Sequence, residues 1–171
     1  MSRTFIGEDA KTVENKLKQL RNILRAYTIR NATISYCQGL NFVVAHILRY
    51  FTEEEEAFWV YCCILENILP IDYYLAMVGT LVDQSLFGKT LKVIMPRLAS
   101  YFKNVGMEVT FITLQWFVCL YTYNFQPAIS DIIWDHLFVK GCKILFRAGL
   151  AVISLLEKDI VNCEDFCTSS I

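Results

Sequence analysis

A chain of 171 residues carrying 16 basic and 17 acidic side chains lacks the clustered positive charge that holds a nucleic-acid backbone, so nucleic acid is excluded as the expected partner. The length fits one domain, 1–171, able to bury about 70% of its unfolded surface around one core. A hydrophobic fraction of 55% and a mean hydropathy of +0.39 raise the question of a membrane, yet the most apolar run, 109–125, is too short and carries Gln115 and Asn124, where a span needs about 20 mainly apolar residues.

The first element is set by Val13, Leu17, Leu20, Leu24 and Tyr27, spaced by four, three, four and three with charged and amide residues between them. That period predicts an amphipathic helix stopping near Asn31. A short entry, 34–38, leads to a largely buried helix over 39–50, and Thr52 with Glu55 has the form of a capping box. The acidic run 53–56 complements the positive end of a third helix through Phe58, Trp59, Cys62, Leu65 and Leu69, which Pro70 ends. Gly79 and Gly88 punctuate the next region before Leu91, Ile94, Leu98 and Phe102 resume helical spacing, with Pro96 breaking it. Gly106 is a stop. A helix is expected over 109–123, another from Pro127 to Gly141, and a last one over 142–157. No alternating strand pattern competes, so the fold class is all-α: one multi-helix domain.

Seven cysteines without a Cys-x-x-Cys pair fit a reducing, cytoplasmic compartment, with Cys62, Cys63 and Cys119 as small core residues. Cys163 and Cys167 stand one helical turn apart, but only His46 and His136 could complete a metal set, and no metal is expected. Ser2 to Ala10 offers no apolar run for a secretory signal. The phosphate loop, the Gly-x-Ser-x-Gly elbow and paired inward carboxylates are all missing. A self-sufficient active site is not expected; residues that complete another protein's active site are.

The octet Ile34-Ser-Tyr-Cys-Gln-Gly-Leu-Asn41 places a glutamine between an aromatic residue and a glycine, just before an apolar helix. A glutamine amide can accept from a water and donate to a phosphate oxygen at once. The octet resembles the Tyr-x-Gln-Gly motif of the TBC family of Rab GTPase-activating proteins. Arg3-Thr-Phe5, 35 residues before Gln38, resembles the end of that family's Ile-x-x-Asp-x-x-Arg motif. Similarity continues in family order through Leu69-Pro70-x-x-Tyr73-Tyr74, Thr113-Leu-Gln-Trp-Phe117, Ile133-Trp-Asp135 and Leu145-Phe-Arg147.

The resemblance implies a partial TBC fold and an activator of GTP hydrolysis on a Rab-family small GTPase, serving vesicle trafficking. Arg3 would be the arginine finger, offsetting charge on the phosphate oxygens with its planar fork. Such a finger is worth roughly 10³ to 10⁵ in rate. Gln38 would orient the attacking water, with Tyr36, Gly39 and Asn41 shaping its placement. GTP and magnesium would belong to the partner, leaving this chain without a cofactor. Location would be cytoplasmic, peripheral on endomembranes through partners, with no transmembrane segment. Gln115, Trp116, Trp134 and Asp135 are expected to serve helix packing. The family's aspartate three residues before the arginine and its upstream Arg-x-x-x-Trp motif are missing, and relatives continue beyond the position of Asp159. The expectation is therefore a domain truncated at both ends, the alternative being a catalytically inactive TBC-derived scaffold that binds a GTPase.

Overall fold

The computed structural model describes residues 9–34 and 36–162, and among them every regular element is helical. Helix α1 (Ala10–Arg30) begins where the Asp9 side chain accepts from the amides of Lys11 and Thr12, satisfying two of the donors that a helix start leaves open. Of its 4-3-4-3 stripe Leu20 and Tyr27 are buried in the core and Val13, Leu17 and Leu24 pack against it partly buried, while Ile23, outside the stripe, is buried with them. At its far end Asn31 returns its N–H to the Tyr27 carbonyl, and its side chain accepts from the amides of Thr33 and Ile34. Arg30 fastens this end to the next layer, meeting the Glu66 carboxylate through two nitrogens at 2.9 and 3.0 Å while its guanidinium lies 5.2 Å from the Trp59 ring centre.

Helix α2 (Leu40–Ile47) is shorter than the expected 39–50. Its last residues tighten into three-residue turns, Arg49 to His46 and Tyr50 to Ile47, and Gln19 Nε2 on α1 then donates to the Thr52 carbonyl at 2.8 Å. The expected Thr52–Glu55 capping box does not form. Glu53, extended and without a side-chain cap bond, precedes α3 (Glu54–Cys63). The Glu55 carboxylate that the box would use lies instead 3.5 Å from Trp59 Nε1 of its own helix, and Glu54 is drawn to Asn22 Nδ2 of α1 at 3.0 Å. The acidic residues Glu54, Glu55 and Glu56 do occupy the first turn, where they complement the helix dipole. α3 runs into a π-helical turn, Ile64–Ile68, closed by the Leu69 amide on the Ile64 carbonyl.

A 3₁₀ turn (Leu75–Met77) leads into α4 (Val78–Ile94), which contains both Gly79 and Gly88 without interruption. The expected breaks are absent because Gly79 answers to packing: a Cβ there would stand 2.7 Å from the Tyr73 Cα. The preceding loop lies directly on the helix start, and Thr80 Oγ1 donates to the Tyr73 carbonyl at 2.8 Å. Pro96 does break the chain, opening α5 (Pro96–Asn104) at its first turn. α6 covers Thr110–Val118 only, five residues short of the expected end. Leu120 and Tyr121 follow with φ of +46° and +65° and turn a sharp corner. α7 (Pro127–Lys140) ends at Gly141 as expected, and α8 (Lys143–Asn162) outruns its expected end.

α1, α2 and α3 pack together, while α4 packs on α5 and α6, and α8 on α5, α6 and α7. Phe87, Leu98, Phe117, Leu120, Leu137 and Leu145 are wholly buried in the shared core, each such side chain contributing about 1.5–3 kcal/mol by removal from water. The rings of Phe87, Phe117 and Phe146 meet edge to face at 5.5 and 5.3 Å, binding α4, α6 and α8. No described helix is long and apolar enough to cross a membrane.

Candidate functional site

Between α1 and α2 the chain makes a tight turn whose tip is Gln38 and Gly39. Gly39 has φ +122° and ψ −34°, a conformation open to glycine and rarely adopted by an L side chain. The Leu40 amide donates to the Cys37 carbonyl and that of Phe42 to the Gly39 carbonyl. Asn41 Oδ1 faces back across the turn and accepts from both the Gly39 amide and the Tyr36 hydroxyl, at 3.3 Å each. One carbonyl oxygen with two lone pairs thus ties Tyr36, on the way into the turn, to Gly39 at its tip. Tyr36, Gln38, Gly39 and Asn41, singled out in the sequence, share one hydrogen-bonded unit.

The unit stands on the end of α6. A Cβ on Gly39 would lie 2.6 Å from Val118 Cγ1, 3.2 Å from Cys119 Sγ and 3.4 Å from the Val118 carbonyl oxygen. Cys37 Sγ meets Met77 Sδ at 3.2 Å, and the Phe42 ring meets that of Tyr123 at 4.4 Å. Val118, Cys119 and Met77 are contacts the sequence reading missed. They lie about 40 to 80 residues away along the chain, and no local period could announce them.

Gln38 is exposed, and its side chain makes no hydrogen bond among the described residues, whereas the amides of Gly39, Leu40 and Phe42 are all engaged. The Gln38 carboxamide is therefore a polar group that this turn offers, unengaged, to another molecule. Burial pushes the Cys37 thiol up, pushes Cys119 up to about 12, and raises the Tyr36 phenol. All three stay protonated at neutral pH. With no carboxylate, imidazole or thiolate in the turn, its chemistry is orientation of a ligand by hydrogen bonds rather than proton transfer.

Arg3 lies outside the described residues, as do Cys163 and Cys167. Trp116 and Trp134 are buried; Trp134 Nε1 donates to the Leu120 carbonyl, and Gln115 and Asp135 are exposed. No group of three or more His, Cys, Asp or Glu among the described residues could hold a metal ion.

The profile of the Rab-GTPase-TBC domain matches residues 1–161. TBC1 domain family member 2B of Homo sapiens is 38% identical over 153 residues, covering 87% of this chain and 16% of that protein. Growth hormone-regulated TBC protein 1 of Xenopus tropicalis is 34% identical over 149 residues, covering 87% of this chain and 44% of that one. The solved RabGAP TBC domain of the Chlamydomonas flagellum superposes with a TM-score of 0.77 at 26% identity, over 85% of this chain and 48% of that one. The chain thus spans less than half the length of these relatives.

Proposed function

Since this chain belongs to the Rab-GTPase-TBC domain family, we propose that it accelerates GTP hydrolysis on a Rab-family small GTPase, with Gln38 orienting the attacking water and Arg3 stabilising charge on the transferred phosphoryl group. The observation that carries the reading is the Gln38 turn itself: an exposed, unbonded carboxamide on a backbone fixed by Gly39, Asn41 and Tyr36. Phosphoryl transfer asks little covalent work of the protein, so an amide held in place, together with a fixed positive charge, is the chemistry required. Holding the turn before the partner arrives means that little ordering entropy is lost on binding. GTP and magnesium enter with the GTPase, and this chain supplies side chains only. Its place would be the cytoplasmic side of endomembranes, reached through the partner, in control of vesicle trafficking.

Single-turnover hydrolysis of GTP by a panel of Rab proteins, with and without the chain, tests this. Acceleration on at least one member is expected. Gln38→Ala should lower it about 10²-fold, the scale of lost positioning, and Arg3→Ala roughly 10³-fold or more. Full retention in both variants would overturn the finger assignment. Saturable binding with no acceleration would make the chain a scaffold instead.

A further inference from the structure

Two adjacent tyrosines, Tyr73 and Tyr74, leave the loop before α4 and run to the end of α6. Both are buried, and their rings meet edge to face at 5.0 Å. Tyr73 donates its hydroxyl to the Phe117 carbonyl at 3.1 Å and Tyr74 donates to the Val118 carbonyl at 2.8 Å. They hold successive carbonyls of a helix end, and the Phe117 carbonyl also accepts from the Leu120 amide at 3.1 Å, so it keeps a partner without Tyr73. Of the two residues they hold, Val118 lies directly against the Gln38 turn. The Val118 side chain and carbonyl oxygen form the seat of Gly39, the residue next to Gln38.

We infer that Tyr74 is a positioning residue for Gln38, acting through Val118, while its neighbour Tyr73 serves the core alone. The inference rests on the proposed role of Gln38. The loop that carries Tyr74 is itself firmly set. The amides of Gly79 and Thr80 bond the carbonyls of Asp72 and Tyr73, and Met77, two residues before Gly79, meets Cys37 within the Gln38 turn. The loop therefore touches the turn directly at Cys37 and indirectly through Val118. Removing the Tyr74 hydroxyl leaves the ring in place but frees the Val118 carbonyl, and the seat of Gly39 gains freedom of movement. Displacement of a catalytic group by about 1 Å can cost as much as 10²-fold in rate.

The pair supplies its own control, because Tyr73→Phe and Tyr74→Phe each delete one buried hydroxyl bonded to one backbone carbonyl. With a responsive Rab, Tyr74→Phe is expected to lower the rate of the bound complex about tenfold, a partial displacement on the same scale. Affinity for the GTPase should stay within about twofold, since no contact surface changes. Tyr73→Phe should leave both quantities within that same margin. A readout free of any GTPase comes from ¹⁵N relaxation of the full chain: the order parameters of the Gln38 and Gly39 amides should fall in Tyr74→Phe and not in Tyr73→Phe. Equal losses in the two variants, or a loss confined to affinity, would overturn the inference. Should Tyr74→Phe fail to fold, Val118→Ala trims the side-chain part of the seat and leaves the carbonyl and Tyr74 in place. It should loosen the same two amides, and unchanged relaxation there would equally sink the idea. If the wild-type chain accelerates no Rab, the proposed function falls while the relaxation comparison still decides about Tyr74; if it accelerates one and relaxation is the same in all variants, only the inference falls.

Discussion

Two corners with positive φ meet at the end of α6, and they are built by opposite means. At Gly39 the backbone is free to adopt φ +122° because there is no side chain, and the space a Cβ would need is filled by Val118. At Leu120 and Tyr121 the chain turns left-handed with two large side chains, both wholly buried. Such backbone costs of order 1–3 kcal/mol per residue and persists only where surroundings over-determine it. Here they do. The Tyr121 amide reaches the Trp116 carbonyl at 2.8 Å, Trp134 Nε1 takes the Leu120 carbonyl at 2.9 Å, Ser130 Oγ takes the Tyr121 carbonyl at 2.8 Å, and the Tyr121 hydroxyl donates to the Leu145 carbonyl at 2.7 Å. A glycine corner is specified by what is missing from one residue; the other is specified by partners on α7 and α8.

That contrast can be broken from either side. Gly39→Ala should have the largest effect. Backbone strain and overpacking against Val118 each cost about 1–3 kcal/mol, so urea unfolding should show a loss of about 3 kcal/mol at unchanged m-value, with loss of any GTPase activation. Leu120→Gly relieves strain at the second corner yet should still destabilise by about 2 kcal/mol, because the lost burial of a large apolar side chain exceeds the relief. A stabilised Leu120→Gly would show that backbone preference, not side-chain burial, governs that corner.

The smallest effect is a pH dependence linking the two corners. His46, on α2, is buried edge-on against Trp134 at 4.6 Å between ring centres, with its Nε2 3.1 Å from Asp131 Oδ1 and with Tyr50 and Arg49 beside it. Burial is the largest influence and holds its pKa below the ordinary 6.5; Arg49 lowers it further, while Asp131 opposes both. The folded state therefore binds the proton less readily than the unfolded state. The stability this gives is fully present above the unfolded pKa and is lost as pH falls through that value toward the folded one. Melting temperature should drop between about pH 7.5 and about pH 5.5, and the part of the drop due to this residue should vanish in His46→Gln. An unchanged slope in that variant would show that α2 and Trp134 are not coupled through the imidazole.

Legibility in the sequence followed the same division. Elements set by local chemistry were readable: the 4-3-4-3 stripe of α1, the break at Pro96, and the limits of α7 at Pro127 and Gly141. Where distant partners decided, local signals misled. Gly79 and Gly88 read as interruptions although α4 runs through both, and the apolar run after Val118 read as continuing helix because the bonds that stop it come from Ser130 and Trp134. Thr52 and Glu55 had the spacing of a capping box, but the Thr52 carbonyl is held by Gln19 and the helix starts after Glu53. The site divides likewise. Tyr36, Gln38, Gly39 and Asn41 are within six residues of one another and stood out together; Val118 and Tyr74, which support them, could be found only in three dimensions.

The joint at the end of α1 has a consequence for behaviour in salt. Arg30 and Glu66 are partly exposed, so at physiological ionic strength, where charges are screened over about 8 Å, dissolved ions weaken their attraction. The two nitrogen–oxygen contacts are much shorter than that screening distance, however, and the guanidinium over Trp59 adds ring contact that ions compete with poorly. Arg30 immediately precedes Asn31, whose side chain starts the path toward Gln38. The approach to the glutamine is thus tethered at its root by a joint that ionic strength softens without opening, and a lysine in place of Arg30, keeping the charge but losing fork and stacking, would make it salt-labile.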